Sequence, residues 1–106
     1  LEQEIIMKSG AELIAMERER QIMEEKYSEE QDDLLVNGEL AGGGACYALW
    51  RCGYIADGWR WTMALWPASH ELWKPKDPLR DLVRAGALIA AEIDRIQRAQ
   101  KPKIIT

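Results

Sequence analysis

The stretch from Asp77 to Pro102 constrains this chain more than any other. Asp77 is a helix N-cap, and Pro78 follows at the first helical position, where its missing N–H leaves no bond unmade. Leu79, Gly86 and Ile93 then recur every seven residues, as do Leu82, Ile89 and Ile96, until Pro102 stops the helix. Such a seam must be covered by other helices of the chain or by a second copy. On the other side Arg80, Arg84, Arg95 and Arg98 lie near one line, with Ala87 and Ala91 between them. That line reads as a solvated face or as a ridge that contacts an anion. Asp94 and Arg98 are spaced for an i,i+4 pair.

Two further helices are expected. The first runs from about Glu2 to Lys26, and Ser9-Gly10 breaks it or caps its second part. Its stripe of Ile6, Gly10, Leu13, Glu17, Gln21 and Glu24 begins apolar and continues polar. Either the partner helix ends at Leu13, or Glu17 and Gln21 enter a half-buried polar site. Residues 27–37 form a connector in which Ser28 and Gln31 match a capping box. Asn37 is a suitable N-cap for the second helix, about Gly38 to Tyr54, with Val36, Leu40, Gly43, Tyr47, Trp50 and Tyr54 along one face. Gly42, Gly43 and Gly44 inside it each cost ~1 kcal/mol against Ala. Close approach of another backbone or of a ligand compensates for that, or the helix kinks there.

Residues 55–76 are not a long helix. Pro67 and Pro75 each lack a donor, Asp57-Gly58 marks a turn, and the alternation in WRWTM allows a short strand or hairpin arm. Four of the five Trp lie here: Trp59, Trp61, Trp66 and Trp73. The expected fold is all-α: one domain over residues 1–106, a small bundle of three main helices. An irregular Trp-rich loop, 54–77, is inserted between the second and third.

Composition narrows the function. A chain of 106 residues, 47% hydrophobic and 30% charged, is one globular domain with a small core, which favours a homo-oligomer, most simply a dimer built partly on the last helix. No apolar run reaches the ~18–20 residues that span a bilayer, and no signal peptide is evident. Two cysteines fit a reducing cytoplasm. Residues 12–39 hold ten acidic and three basic side chains; residues 74–103 hold eight basic and four acidic. The two ends are complementary, within one chain or between chains. The overall charge of −4 argues against general nucleic-acid binding but permits a small anion at a local site.

Asp32, Asp33 and Glu39 are hard oxygen donors suited to Mg²⁺, with Glu17 and Glu24 available from the first helix. Ser/His/Asp chemistry lacks a nucleophile elbow around a serine, and His70 is the one histidine. Cys46 and Cys52 fall on nearly opposite faces of one helix and form no CxxC. No P-loop and no GxGxxG occurs. What remains is a pocket for a small anion or nucleotide. The aromatic set of five Trp and three Tyr, with no Phe, offers rings for stacking. Arg and Lys supply charge-assisted bonds to phosphate. The candidate ligand-binding residues are Arg20, Tyr47, Trp66, Trp73, Lys74 and Arg80. Trp73, Lys74 and Arg80 flank the N-terminus of the last helix, whose free amides and dipole favour an anion. No catalytic residue is assigned.

ERERQ (17–21), DD (32–33), GEL (38–40), ACYAL (45–49), WP (66–67), WKP (73–75) and RDLVRAGALIAAEIDR (80–95) occur in that order. The set resembles a family of small, mostly uncharacterised bacteriophage and prophage proteins, over about residues 12–98. The chain departs from it at GGG, 42–44, and in the tryptophan-rich stretch 53–65. The resemblance implies an α-helical protein acting in the cytoplasm of a bacterial host. A looser similarity is to all-α, MazG-type nucleoside triphosphate pyrophosphohydrolases, which hold Mg²⁺ on ExxE and ExxD motifs. Here Glu29/Asp32 and Glu30/Asp33 match ExxD but fall in the connector, and Glu92 is followed by Arg95, so that framework is incomplete. The expected function is a phage accessory protein that binds a small nucleotide or phosphorylated ligand, sequestering a host antiviral defence signal. The alternatives are a Mg²⁺-dependent nucleotide pyrophosphohydrolase and an inhibitor that binds a host defence protein directly.

Overall fold

The computed structural model describes residues 7–53 and 58–100. Among the described residues five α-helices follow in order: α1 (Gly10–Met23), α2 (Glu29–Asp32), α3 (Glu39–Trp50), α4 (Gly58–Leu65) and α5 (Pro78–Gln100), with a 3-10 turn at His70–Leu72. No strand occurs among the described residues, and α1, α3 and α5 are the three long helices. The parts of the expected stripes at Ile6 and Tyr54, and the stop at Pro102, lie outside the described residues. None of the described helices is long and apolar enough to cross a membrane.

Local chemistry accounts for the helix starts. Ser9 accepts from the Glu12 amide while the Glu12 carboxylate accepts from the Ser9 amide, a complete capping box that begins α1 at Gly10. Ser28 accepts from the Gln31 amide and starts α2. Asp77 Oδ1 accepts from the Arg80 amide at 2.9 Å. Asn37 does not cap α3: Gly38, at φ 84, takes that position, and the Asn37 amide donates to Glu39 Oε1 instead. A left-handed backbone suits glycine.

Helix α5 is the spine: α1 and α3 pack along it, α2 near it, and α4 against α3. Leu40, Tyr47, Ala85, Leu88 and Ala91 form the buried core, flanked by Tyr27, Leu35, Ala48, Trp66 and Trp73. Gly43 and Gly44 permit the α3–α5 crossing. A Cβ on Gly44 would stand 2.9 Å from the Ala85 carbonyl oxygen, and one on Gly43 3.4 Å from Leu88 Cδ1. Close approach of a backbone is thus the compensation. The same device recurs on α5, where a Cβ on Gly86 would collide with Ile14 of α1.

Two expectations are corrected. WRWTM is helical, part of α4, with Thr62 buried and its carbonyl accepting from Cys46 Sγ at 3.6 Å. The segment between α3 and α5 is therefore less irregular than its prolines and glycines suggest. The arginines of α5 do not form a solvated face but pair with carboxylates of the chain. Arg80 and Arg84 reach Glu17, Arg95 pairs with Glu92, and Arg98 binds Asp33 of the connector rather than Asp94. Ala87 and Ala91 between them are fully buried. The acidic and basic ends of the chain meet within one molecule.

Candidate functional site

The polar end of the α1 stripe is buried. Glu17 and Gln21 are 3% and 1% exposed, so they enter a polar site and do not mark the end of a partner helix. Glu17 is its hub. Its two oxygens accept from Arg20 Nε and Nη2, both at 2.8 Å, and Oε2 also accepts from Gln21 Nε2 at 3.3 Å. Arg80 Nη2 lies 3.3 Å from Oε1, and Arg84 Nε 3.9 Å from Oε2. Burial opposes the charge on Glu17, but the Arg20 bonds and the fields of Arg20, Arg80 and Arg84 outweigh it. The carboxyl is held below its usual range.

Beside this hub opens a cavity of about 550 Å³ between the end of α1, the connector, α3, α5 and the segment after α4. Tyr27, Tyr47 and Trp66 are its aromatic lining; Leu35, Leu40, Leu72 and Leu88 are its aliphatic one. Gly43 keeps the α3 side open. The aromatic wall is stiffened from behind. Trp73 lies 4.6 Å from the Tyr47 ring and 4.9 Å from that of Trp66, centroid to centroid, and Trp50 meets Trp73 edge-on at 5.8 Å. The Trp66 indole N–H donates to the Ser69 carbonyl.

The polar lining has a definite balance. Arg84 Nη1 donates to Tyr47 Oη at 3.1 Å and to the Lys74 carbonyl at 3.0 Å. The Lys74 ammonium makes no ion pair among the described residues. Glu25 is bound by Arg20 and Asp32 by Arg18, both at 2.7 Å, so two of the three cavity acids are neutralised. Burial pushes the Tyr27 hydroxyl up to about 12, with help from the adjacent Glu25. One acceptor is left over. Gln21 turns its amide nitrogen to Glu17, and its buried Oε1 has no hydrogen-bond partner among the described residues. A buried acceptor without a partner is costly and rare.

The six expected ligand-binding residues divide. Tyr47, Trp66 and Lys74 line this cavity, and Trp73 backs it. Arg20 and Arg80 line a separate groove of about 350 Å³ with Leu13, Met16, Leu79 and Val83. The N-terminus of α5 is not open to an anion, because the chain's own carboxylates serve it. Asp77 takes the Arg80 amide, and the fully buried Asp81 takes the Lys76 amide at 2.7 Å and Arg51 at 2.8 Å. The expected metal ligands do not converge: Asp32 binds Arg18, Asp33 binds Arg98, and Glu39 accepts from the Asn37 amide. Among the described residues no three His, Cys, Asp or Glu are grouped to hold a metal ion.

Gln21, Tyr27 and Arg84 line the cavity but stand outside the expected ligand-binding set, with Gln21 expected in a polar site only in one of two readings of the α1 stripe. The first belongs to the polar half of the α1 stripe, and Arg84 lies one turn beyond Arg80. Tyr27 carried no signal of its own. No family model, curated protein or solved structure matches the chain.

Proposed function

We propose that the protein binds a small nucleotide-like ligand, a planar heterocycle carrying a phosphate or another anion, in the cavity lined by Tyr27, Tyr47 and Trp66. The observation that carries this reading is an aromatic cavity lined by Gln21, whose buried Oε1 is unpaired among the described residues, together with Lys74 and Arg84. A ring N–H or amino group of a base satisfies Gln21, the rings stack on the heterocycle, and Lys74 takes the anion. The size suits it, since small-molecule sites run to roughly 300–1,000 Å³. Arg84 already meets Glu17, so Lys74 is the lining cation without an ion pair among the described residues, and Glu39 is the lining acid without one. That balance fits one or two negative charges, as in a nucleoside monophosphate or cyclic nucleotide, better than a triphosphate.

Binding without chemistry is the reading, because the carboxylates best placed for catalysis are engaged by arginines. Taken with the resemblance to phage proteins, the ligand class fits a phosphorylated signal of host antiviral defence, which this protein sequesters. A second reading, direct docking to a host defence protein, draws on Trp61, Leu65 and Leu72, each more than half exposed.

Calorimetric titration with mono-, di-, tri- and cyclic nucleotides, with and without Mg²⁺, tests the proposal. One class should bind, at least tenfold more weakly to Lys74→Ala and unchanged to Arg80→Ala, which lies outside the cavity. No binding across the panel, or equal losses in both variants, removes this site and leaves the protein-partner reading ahead.

A further inference from the structure

The buried side chain of Gln21 lies between two demands. On one side is Glu17, a carboxylate that accepts on both oxygens and donates nothing. Arg20 Nε and Arg80 Nη2 lie 2.8 and 3.3 Å from its Oε1; Arg20 Nη2 and Gln21 Nε2 lie 2.8 and 3.3 Å from its Oε2. On the other side is the aromatic cavity, which Gln21 lines. An amide beside a carboxylate must turn its N–H groups toward it, and the oxygen is what remains. Gln21 Oε1 is the buried atom left without a partner among the described residues. We infer that Glu17 fixes Gln21 as an acceptor and thereby makes the cavity select a base that carries an exocyclic amino group. This inference rests on the nucleotide reading of the same cavity and names the class of base.

The backbone holds the arrangement. The Gln21 carbonyl accepts from the Glu25 and Tyr27 amides, at 3.2 and 3.1 Å, so the chain folds back on itself at the end of α1. Lys26 supplies the turn, at φ 60. The fold-back brings the Tyr27 ring and the Glu25 carboxylate into the cavity that Gln21 lines. Arg20 ties that carboxylate to Glu17, since it pairs with both.

The rest of the lining favours an amino group over a ring N–H. Glu25, Asp32 and Glu39 line the cavity, and as carboxylates they only accept. The ring N–H of uracil or hypoxanthine is flanked by carbonyl oxygen, which such a lining repels. An amino group carries two N–H donors on one nitrogen, one for Gln21 Oε1 and one for a second acceptor. Arg84 Nη1 is already spent on Tyr47 Oη and the Lys74 carbonyl, which leaves the Lys74 ammonium for the anion. A base without the amino group keeps Gln21 Oε1 buried and unpaired in the complex, the kind of loss by which sites reject close analogues.

Glu17 is a positioning residue, because it acts through Gln21. Arginine nitrogens lie at 2.8 and 3.3 Å from Oε1 but at 2.8 and 3.9 Å from Oε2. In Glu17→Gln they hold the amide oxygen at the Oε1 position and leave its N–H groups facing Gln21. Gln21 then turns over to accept them, and its own N–H groups face the cavity.

Calorimetric titration with matched ligands reads the outcome. Adenosine, cytidine and guanosine monophosphates, linear and cyclic, are each paired with the analogue that lacks the exocyclic amino group. The wild type should bind the amino member of its preferred pair at least tenfold more tightly. Gln21→Met, of similar length but without the acceptor, should bring that ratio close to one. Glu17→Gln should lose or reverse it, whereas a merely structural role would weaken both members alike. Equal affinities within each pair, or uridine monophosphate as the tightest ligand, overturn this inference; binding that is still lost in Lys74→Ala then leaves the cavity reading standing. No binding of any nucleotide removes both. A ratio that survives Gln21→Met overturns the role of Gln21, and one that survives Glu17→Gln overturns that of Glu17.

Discussion

The carbonyl oxygen of Ala85 lies 2.9 Å from the point where a Cβ on Gly44 would stand. Backbone cannot yield there as a flexible side chain can. Gly44→Ala should therefore destabilise the protein by about 1–3 kcal/mol through forced separation of α3 and α5. Gly42 is the contrast, because its Cβ would meet only Pro67 Cγ, at an ordinary 3.8 Å. Gly42→Ala should stabilise by about 0.5–1 kcal/mol through helix propensity. Urea denaturation of the two variants checks this, and effects of the same sign would contradict the crossing described.

Glu17 sets the acid limit of stability. Burial works against its charge, and the three arginines more than compensate, so its folded value lies below the ordinary carboxyl value of 4.5. Glu25, bound by Arg20, is lowered in the same way. As pH falls, the unfolded chain takes up these protons first. The stabilisation is complete above about pH 4.5 and declines as pH drops through the lowered folded values. Glu17→Gln should lower the urea midpoint at neutral pH and flatten its fall between about pH 5 and 3. Parallel pH profiles for variant and wild type would show that Glu17 is not the hub.

Asp81 is fully buried and holds Arg51 from the end of α3 and the Lys76 amide before α5. Arg51→Ala leaves that carboxylate without its cation and should cost about 3 kcal/mol. Arg51→Lys should recover only part of it, because lysine has no planar fork. Thermal melts followed by circular dichroism separate the three proteins. A melt for Arg51→Ala that matches the wild type would contradict the role of this pair.

What could be read from the sequence was what depends on near neighbours. Ser9 before Gly10, Ser28 with Gln31, and Asp77 before Pro78 are local patterns, and each begins a helix as expected. Helix α5 was equally legible, but the face that it buries was not: Leu79, Leu82, Ile89, Ile93 and Ile96 are exposed, and Ala85, Leu88 and Ala91 enter the core, because α1 and α3 decide which face is covered. Helix α4 was missed because five residues of alternation do not separate period 2 from period 3.6. Gly38 displaced Asn37 at the start of α3 because the chain enters with a positive φ, which no neighbour pattern announces.

The candidate cavity was half legible for the same reason. Tyr47, Trp66 and Lys74 stood out by residue type. Gln21 and Arg84 matter only because α1 and α5 turn them toward one space, and Arg20 and Arg80 turn out on the other side of Glu17. The sequence left open whether the α1 stripe ends or becomes polar, and the burial of Glu17 and Gln21 answers it.

The central claim is that the cavity beside Gln21 receives the base of a nucleotide-like ligand. Its most direct test is nuclear magnetic resonance of the ¹⁵N-labelled protein, titrated with whichever member of the nucleotide panel binds in calorimetry. The account expects the largest shifts at the Gln21 side-chain amide, the Trp66 indole N–H and the backbone amides of Gly43 and Tyr27, saturating with the calorimetric affinity. Shifts confined to the groove of Arg20 and Arg80, or none at the Gln21 amide, would contradict it.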